Sequence, residues 1–121
     1  MKHKHFTLLL AVMLAAGTLH AQQAEKFDPG KDKRAINGYT IHLVPAVGNT
    51  FGFTVMKGKL PVTVQLNNPF SPAPAGFKNK EDAYKLAEWV INEAIKNGRP
   101  PQKIPADVGR QLNLSAGAPK Q

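Results

Sequence analysis

The chain contains no cysteine and few residues of the types that carry out catalysis. The absence of cysteine excludes disulfides, thiolate metal sites and attachment through a lipidated cysteine. Beyond residue 21 there is one histidine, His42, and there are two serines, Ser71 and Ser115. No Gly-x-Ser-x-Gly motif, glycine-rich phosphate loop or metal-ligand spacing accompanies them. The sequence therefore predicts no catalytic residue, no metal site and no cofactor.

The first 21 residues have the three-part layout of a secretory signal peptide. Lys2 and Lys4 precede an apolar run over residues 6–16, and a small-residue segment over 17–21 ends in a cleavage site before Gln22. The apolar run is too short to span a bilayer, and an uncleaved membrane anchor is the alternative interpretation. We expect export to the periplasm or the extracellular space, with no stable membrane insertion after cleavage.

Cleavage would leave a basic chain whose charges are scattered. Of 121 residues, 100 remain after the first 21 are removed, and the loss of Lys2 and Lys4 leaves 14 basic against 8 acidic residues, a net charge of +6. Such a charge can attract polyanions or an anionic cell surface. The basic residues do not alternate with aromatic ones as on a nucleic-acid surface, and export removes most nucleic acid from reach. We expect no nucleic-acid partner.

Period-two alternation of apolar residues predicts three strands. The alternation runs over residues 39–44, 51–56 and 60–66, with glycine-containing turns between these segments. Pro61 cannot donate to a ladder, so the third strand begins there or lies at an edge. The strands should form an antiparallel meander with one apolar face. Residues 22–37 are mostly polar, and we expect them to form a flexible N-terminus.

Residues 79–98 carry the signals of an amphipathic helix. Asn79 is a suitable N-cap, Gly98 offers a left-handed C-terminal residue, and two prolines at 100–101 forbid continuation. Seven apolar residues recur at three- and four-residue spacing, and this stripe should pack on the apolar face of the meander. The stripe consists of Ala83, Leu86, Ala87, Val90, Ile91, Ala94 and Ile95.

These elements together predict a small α+β domain over residues 38–114. Its fold is a three-stranded antiparallel meander packed by one main C-terminal helix, followed by a short terminal helical turn around Val108 and Leu112. Residues 115–121 are expected to be a disordered tail. A chain this short without a crosslink buries a small core and exposes a strand edge, so we also expect a tendency to form homo-oligomers.

A shallow apolar groove beside the helix is the best candidate for a binding site. Trp89 lies near the edge of the apolar stripe, and with Tyr84 and the proline-rich loop that contains Phe70 and Pro72 it could line such a groove. Grooves of this kind bind peptides or extended chains. The alternative is that Trp89 only covers the core. His42 is expected on the polar face of the first strand, as an exposed or edge-lining imidazole.

Several short motifs follow one another between residues 49 and 114. They are Phe51-Gly52-Phe53-Thr54-Val55, Gly58-Lys59-Leu60, Pro72-Ala73 with Gly76-Phe77, Glu81-Asp82-Ala83 with Ala87, and Asn97-Gly98-Arg99-Pro100-Pro101 with the later Ile104 and Leu112. Their order resembles that of a family of short exported bacterial proteins known as a domain of unknown function. Ser71 and Pro61 depart from the family pattern. The resemblance implies the fold and export, and it implies no activity.

The leading interpretation is a non-catalytic binding or protein-interaction module that acts outside the cytoplasm. Its partner would be a protein, a peptide or a cell-surface ligand. Two alternatives belong to other classes. One is a small periplasmic hydrolase or lyase that uses His42, and the other is polyanion or cell-surface binding through the scattered lysines and arginines.

Overall fold

A four-stranded antiparallel sheet carries one long helix on one of its faces. The computed structural model describes residues 25–114, so the predicted signal peptide, the first three residues of the predicted N-terminal tail and the predicted C-terminal tail lie outside the described residues. The prediction of an α+β fold is confirmed. In chain order the elements are β1 (Lys33–Ile36), β2 (Tyr39–Ala46), β3 (Thr50–Lys57), β4 (Leu60–Gln65), α1 (Lys80–Asn97) and α2 (Val108–Gln111), and the strands are adjacent in that same order.

The sheet has one strand more than the sequence predicts. β1 lies inside the segment 22–37, which the polar composition predicts to be flexible, and it pairs antiparallel with β2. Asn37 and Gly38 join the two strands with φ of 51° and 85°. Two successive left-handed residues are typical of a tight type I′ hairpin turn, for which Asn-Gly is a favoured sequence. The prediction of three strands is wrong because this turn holds a short polar strand on the edge of the sheet.

α1 begins and ends at the residues that the sequence predicts. Asn79 Oδ1 accepts a hydrogen bond from the backbone N–H of Asp82 at 2.8 Å, and Gly98 ends the helix with φ of 78°. The side-chain cap satisfies one of the donors that the first turn leaves without a helical partner. The predicted apolar stripe is buried except for Ile95, which is 52% exposed near the end of the helix.

The core lies between α1 and the inner face of the sheet, which is the face that the helix covers. Each fully buried aliphatic or aromatic side chain contributes roughly 1.5–3 kcal/mol relative to exposure. Phe77, just before the helix, is buried and forms an antiparallel bridge with Phe51, so the start of α1 is held against β3. The inner face of the sheet contributes Ile41, Leu43, Phe51, Phe53 and Val55 to this core.

β4 contains a β-bulge that changes which of its side chains face the helix. Pro61 is opposite Met56 and Thr63 is opposite Val55, so Val62 has no residue of its own on β3. An extra residue shifts the alternation of side chains by one position. Without the bulge, the apolar residues after Leu60 would all face the helix.

Beyond the bulge, the polar residues of β4 face the helix and the apolar ones face away from it. Gln65 is opposite the buried Phe53, whereas Val64 is opposite Thr54 on the outer face, which is the face away from α1. Val64 and Leu66 are 57% and 52% exposed. The expectation that the whole alternation over 60–66 packs on the helix is therefore wrong for these two residues, because the bulge is not visible in the alternation.

The backbone of β4 passes close to Gly52, so we expect Gly52→Ala to destabilise the protein. A Cβ at Gly52 would lie 2.6 Å from the carbonyl oxygen of Gln65 and 2.8 Å from Leu66 Cα. Forcing atoms apart in a packed region costs about 1–3 kcal/mol, which denaturant unfolding would measure. Gly30→Ala is the control, because its Cβ would meet only Asp28 Oδ1 at 3.4 Å. Equal stability of the two variants would contradict this packing.

Candidate functional site

The structure places the five predicted binding residues in different surroundings. Tyr84 and Phe70 are buried, Trp89 is half-buried on α1, Pro72 is exposed in the loop before α1, and His42 is half-buried on β2. Tyr84 and Trp89 are five residues apart, so they point about 140° apart around the helix. His42 lies across the sheet from both. The five side chains therefore do not form one surface.

Phe70 contributes to the core beneath α2. A Cβ at Gly109 would lie only 2.9 Å from Phe70 Cγ, so the backbone of α2 packs directly on the ring. The Phe70 N–H donates to Asn68 Oδ1 at 2.9 Å, which fixes the loop locally. On the same side of the molecule, Lys85 Nζ donates to the Asn113 carbonyl oxygen at 3.2 Å. Phe70 is therefore a contact of α2 and does not line an open groove.

Tyr84 is covered by Arg34 from β1. The Arg34 guanidinium carbon lies 3.8 Å from the centre of the Tyr84 ring, and Nη1 lies 3.1 Å from Glu88 Oε2 and 3.4 Å from Glu81 Oε2. Burial opposes the charge of Arg34, but the hydrogen bonds and charges of the two glutamates outweigh burial and raise its pKa. These ion pairs are partly exposed, so each contributes at most about 1 kcal/mol. The cluster attaches β1 to α1.

A further ion pair attaches the segment before β1 to the start of the helix. Lys80 Nζ lies 3.0 Å from Asp32 Oδ2, and the same carboxylate oxygen accepts a hydrogen bond from the Asp28 N–H at 2.6 Å. Asp32 is buried. A buried carboxylate needs such partners, since an unpaired buried charge is strongly destabilising. Its contacts account for Asp32 as a structural residue.

Among the described residues, two clefts are lined by none of the five predicted residues. One, of about 680 Å³, lies between residues 25–27 and the β2–β3 turn, with Phe51 in its wall. The other, of about 520 Å³, lies at the end of α1 and is lined by residues 97 and 99–102. Within residues 25–114, no group of three or more histidine, aspartate or glutamate side chains is placed to hold a metal ion.

His42 belongs to a row of side chains that crosses the outer face of the sheet. Lys33, His42, Thr54 and Val64 are directly opposed on the four neighbouring strands. Directly opposed residues in an antiparallel sheet project from the same face. The row therefore runs from a lysine on β1, through His42 and a threonine, to the exposed valine on β4.

Sequence reasoning predicts an exposed strand edge, but it does not identify the free edge of β4 as a binding surface. Among the described residues, β4 pairs with β3 alone, and its other edge has no neighbouring strand. Val64 stands on the outer face beside that edge, and the exposed Leu66 follows β4 directly. Pro61 indicates an edge strand in the sequence, but nothing in the sequence indicates the bulge that turns the two apolar side chains outward.

The strands also carry no negative charge. No aspartate or glutamate occurs between Asp32 and Glu81, so all four strands and their turns lack carboxylates. Lys33 lies on the outer face, and Lys59 is exposed in the turn where β4 begins. The glutamates that neutralise Arg34 are on α1, on the opposite side of the sheet. The outer face and the β4 edge are therefore apolar and cationic.

Tyr84 should hold its proton to higher pH in the folded than in the unfolded protein. Burial raises its pKa most, and the negative charge of Asp32 raises it further; Arg34 lowers it, Glu81 raises it, and the net pKa is raised. Because the unfolded chain loses this proton first, stability should fall as pH rises above about 10, by at most about 1.4 kcal/mol per pH unit for one proton. Tyr84→Phe should remove this part of the decline.

Ultraviolet absorbance of tyrosinate measures the same property directly. The chain has two tyrosines, so the Tyr39→Phe variant reports Tyr84 alone. Its titration midpoint should be higher in the native than in the denatured variant. Coincident midpoints would contradict the burial of Tyr84 beneath Arg34.

Comparison with protein-family models, with curated proteins and with solved structures finds no match. The resemblance over residues 49–114 to an exported family thus stays a prediction that depends on the order of short motifs. In the part of the chain that the structure describes, no helix is both long enough and apolar enough to cross a membrane.

Proposed function

We propose that this chain is an exported, non-catalytic interaction module that binds another polypeptide through β4. The observation that carries the proposal is the exposure of Val64 on β4, and of Leu66 directly after it, beside a strand edge that is unpaired within residues 25–114. An open strand edge presents N–H and C=O groups that a further strand can pair with. Many peptide-binding domains bind extended segments in this way.

The energetics of the two side chains support a partner at this edge. Each has about half of its surface in water, and covering that surface is favourable by on the order of 1.5 kcal/mol per side chain. Single exposed apolar residues are common. Here two exposed apolar side chains lie beside unpaired backbone, so an added strand could gain stability in two ways. The two contributions are main-chain hydrogen bonds and contacts to alternate side chains.

Export is supported by the sequence alone. The layout of residues 1–21 is that of a signal peptide, and the motif order over 49–114 is similar to that of an exported family. Both features fit a small domain that meets its partner in the periplasm or outside the cell.

An array of immobilised peptides of varied sequence tests the proposal with the mature chain from Gln22. We expect wild-type protein to bind a subset of the peptides, and we expect Val64→Lys and Leu66→Lys to weaken that binding by at least about tenfold. Val47→Lys is the matched control, because Val47 is 71% exposed in the β2–β3 turn, outside β4. Undiminished binding by Val64→Lys would contradict the proposed surface.

The same protein preparations distinguish an interaction module from an enzyme. We expect no turnover of a broad panel of hydrolase and lyase substrates. Turnover that disappears in His42→Ala would favour a small enzyme that uses His42, and it would contradict a non-catalytic module.

A further inference from the structure

We infer that the partner of β4 is an acidic, extended polypeptide segment that joins the sheet as a fifth strand. This inference rests on the proposed function and adds the chemistry of the partner. Three features of β4 and its surroundings define the partner: the unpaired backbone groups, the face that carries the exposed apolar side chains, and the nearby charges.

The open backbone of β4 suits a short segment. Pro61 has no N–H to donate, and the bulge at Val62 bends the strand, so the first half of β4 pairs poorly with a further strand. Residues 63–65 of β4 follow the bulge and are free of both obstacles, and the exposed Leu66 comes directly after them. Three residues of strand extend about 10 Å, which sets the length of regular pairing. Both obstacles also limit the unrestricted edge pairing that leads to aggregation.

The alternation of β4 beyond the bulge determines the pattern of the partner. Residues directly opposed on neighbouring strands share a face, so partner residues opposite Val64 and Leu66 would lie on the outer face. Apolar side chains at those positions cover the two exposed residues. Partner residues opposite Thr63 and Gln65 would lie on the helix side, where β4 is polar and half-buried. The preferred segment alternates apolar and polar residues.

The charge at the start of β4 favours an acidic residue at the end of that segment that lies beside Lys59. Lys59 is exposed at the start of β4, forms no ion pair among the described residues, and lies in a stretch from residue 33 to residue 80 that contains no carboxylate. A partner carboxylate near the start of β4 therefore meets the positive charge of Lys59, whereas Lys33 is at the opposite edge of the sheet. A partner lysine would meet like charge without compensation.

The same charges disfavour a second copy of this chain as the occupant. Pairing of β4 with β4 of another molecule would bring a second Lys59 to the edge and no carboxylate, since none of the strands carries one. An anionic lipid surface would satisfy Lys59, but it would leave the unpaired N–H and C=O groups of β4 without strand partners. An acidic peptide segment satisfies both features.

Two synthetic heptapeptides test the inference on the mature protein. The acidic one is Glu-Val-Thr-Val-Thr-Val-Glu, and the basic one has lysine in place of both glutamates. We expect the acidic peptide to bind at least about tenfold more tightly in fluorescence anisotropy at low salt, and we expect added salt to reduce the difference. Lys59→Glu should remove or reverse the preference. Lys96→Glu, in the exposed last turn of α1, is the control and should keep it.

Each outcome separates this inference from the proposed function. Equal affinity for both peptides, with weaker binding in Val64→Lys, would overturn the acidic preference and leave the interaction module standing. No binding of either peptide, together with no binding on the array, would overturn both.

Two further measurements test the alternative occupants of this edge, a second copy of the chain and an anionic lipid surface. A dimer in light scattering that Val64→Lys dissociates would overturn the inference in favour of a second copy. Binding to phosphatidylglycerol vesicles that Lys59→Glu abolishes, without peptide binding, would overturn it in favour of a lipid surface.

Discussion

The apolar stripe of α1 and the inner face of the sheet bury one another, and this contact determines which side of each strand is inside the protein. Ile41 and Leu43 on β2, and Phe51, Phe53 and Val55 on β3, are held on the helix side by it. On the helix side, ion pairs hold residues 32–34 against α1: Glu81 and Glu88 pair with Arg34, and Asp32 pairs with Lys80. The outer face is left with lysine, histidine, threonine and apolar side chains, and with no negative charge.

At the bulge in β4, the alternation of apolar residues in the sequence stops matching the face of the strand that packs on the helix. An unbroken alternation would direct the valines and leucines of β4 towards the helix, where they would add to the core. With Val62 as the extra residue, Thr63 and Gln65 take the inner positions, and Val64 and Leu66 remain in water. The fold forgoes on the order of 3 kcal/mol of burial at these two side chains, a large amount for a small domain. A partner that covers Val64 and Leu66 would recover part of this free energy.

The sequence predicts features that depend on neighbouring residues, and it does not predict features that depend on contacts between distant ones. The ends of α1 were predictable because caps act over three or four residues, as the bond from Asp82 N–H to Asn79 shows. β1 carried one usable signal, the Asn37-Gly38 turn, although its polar composition points to a flexible segment. The position of Arg34 over Tyr84 was not predictable, since Arg34 and its ion-pair partner Glu88 are 54 residues apart. The bulge depends on the register between two strands, and the burial of Phe70 depends on where α2 packs.

The central claim is that β4 is a docking edge for an acidic extended segment, and amide hydrogen exchange with the acidic heptapeptide tests it most directly. Bound peptide should slow the exchange of backbone amides within residues 63–65, because new main-chain hydrogen bonds form there. Amides of β1, at the opposite edge of the sheet, should exchange as in the free protein. Protection at β1 or on α1, with none over residues 63–65 at saturating peptide, would contradict the account.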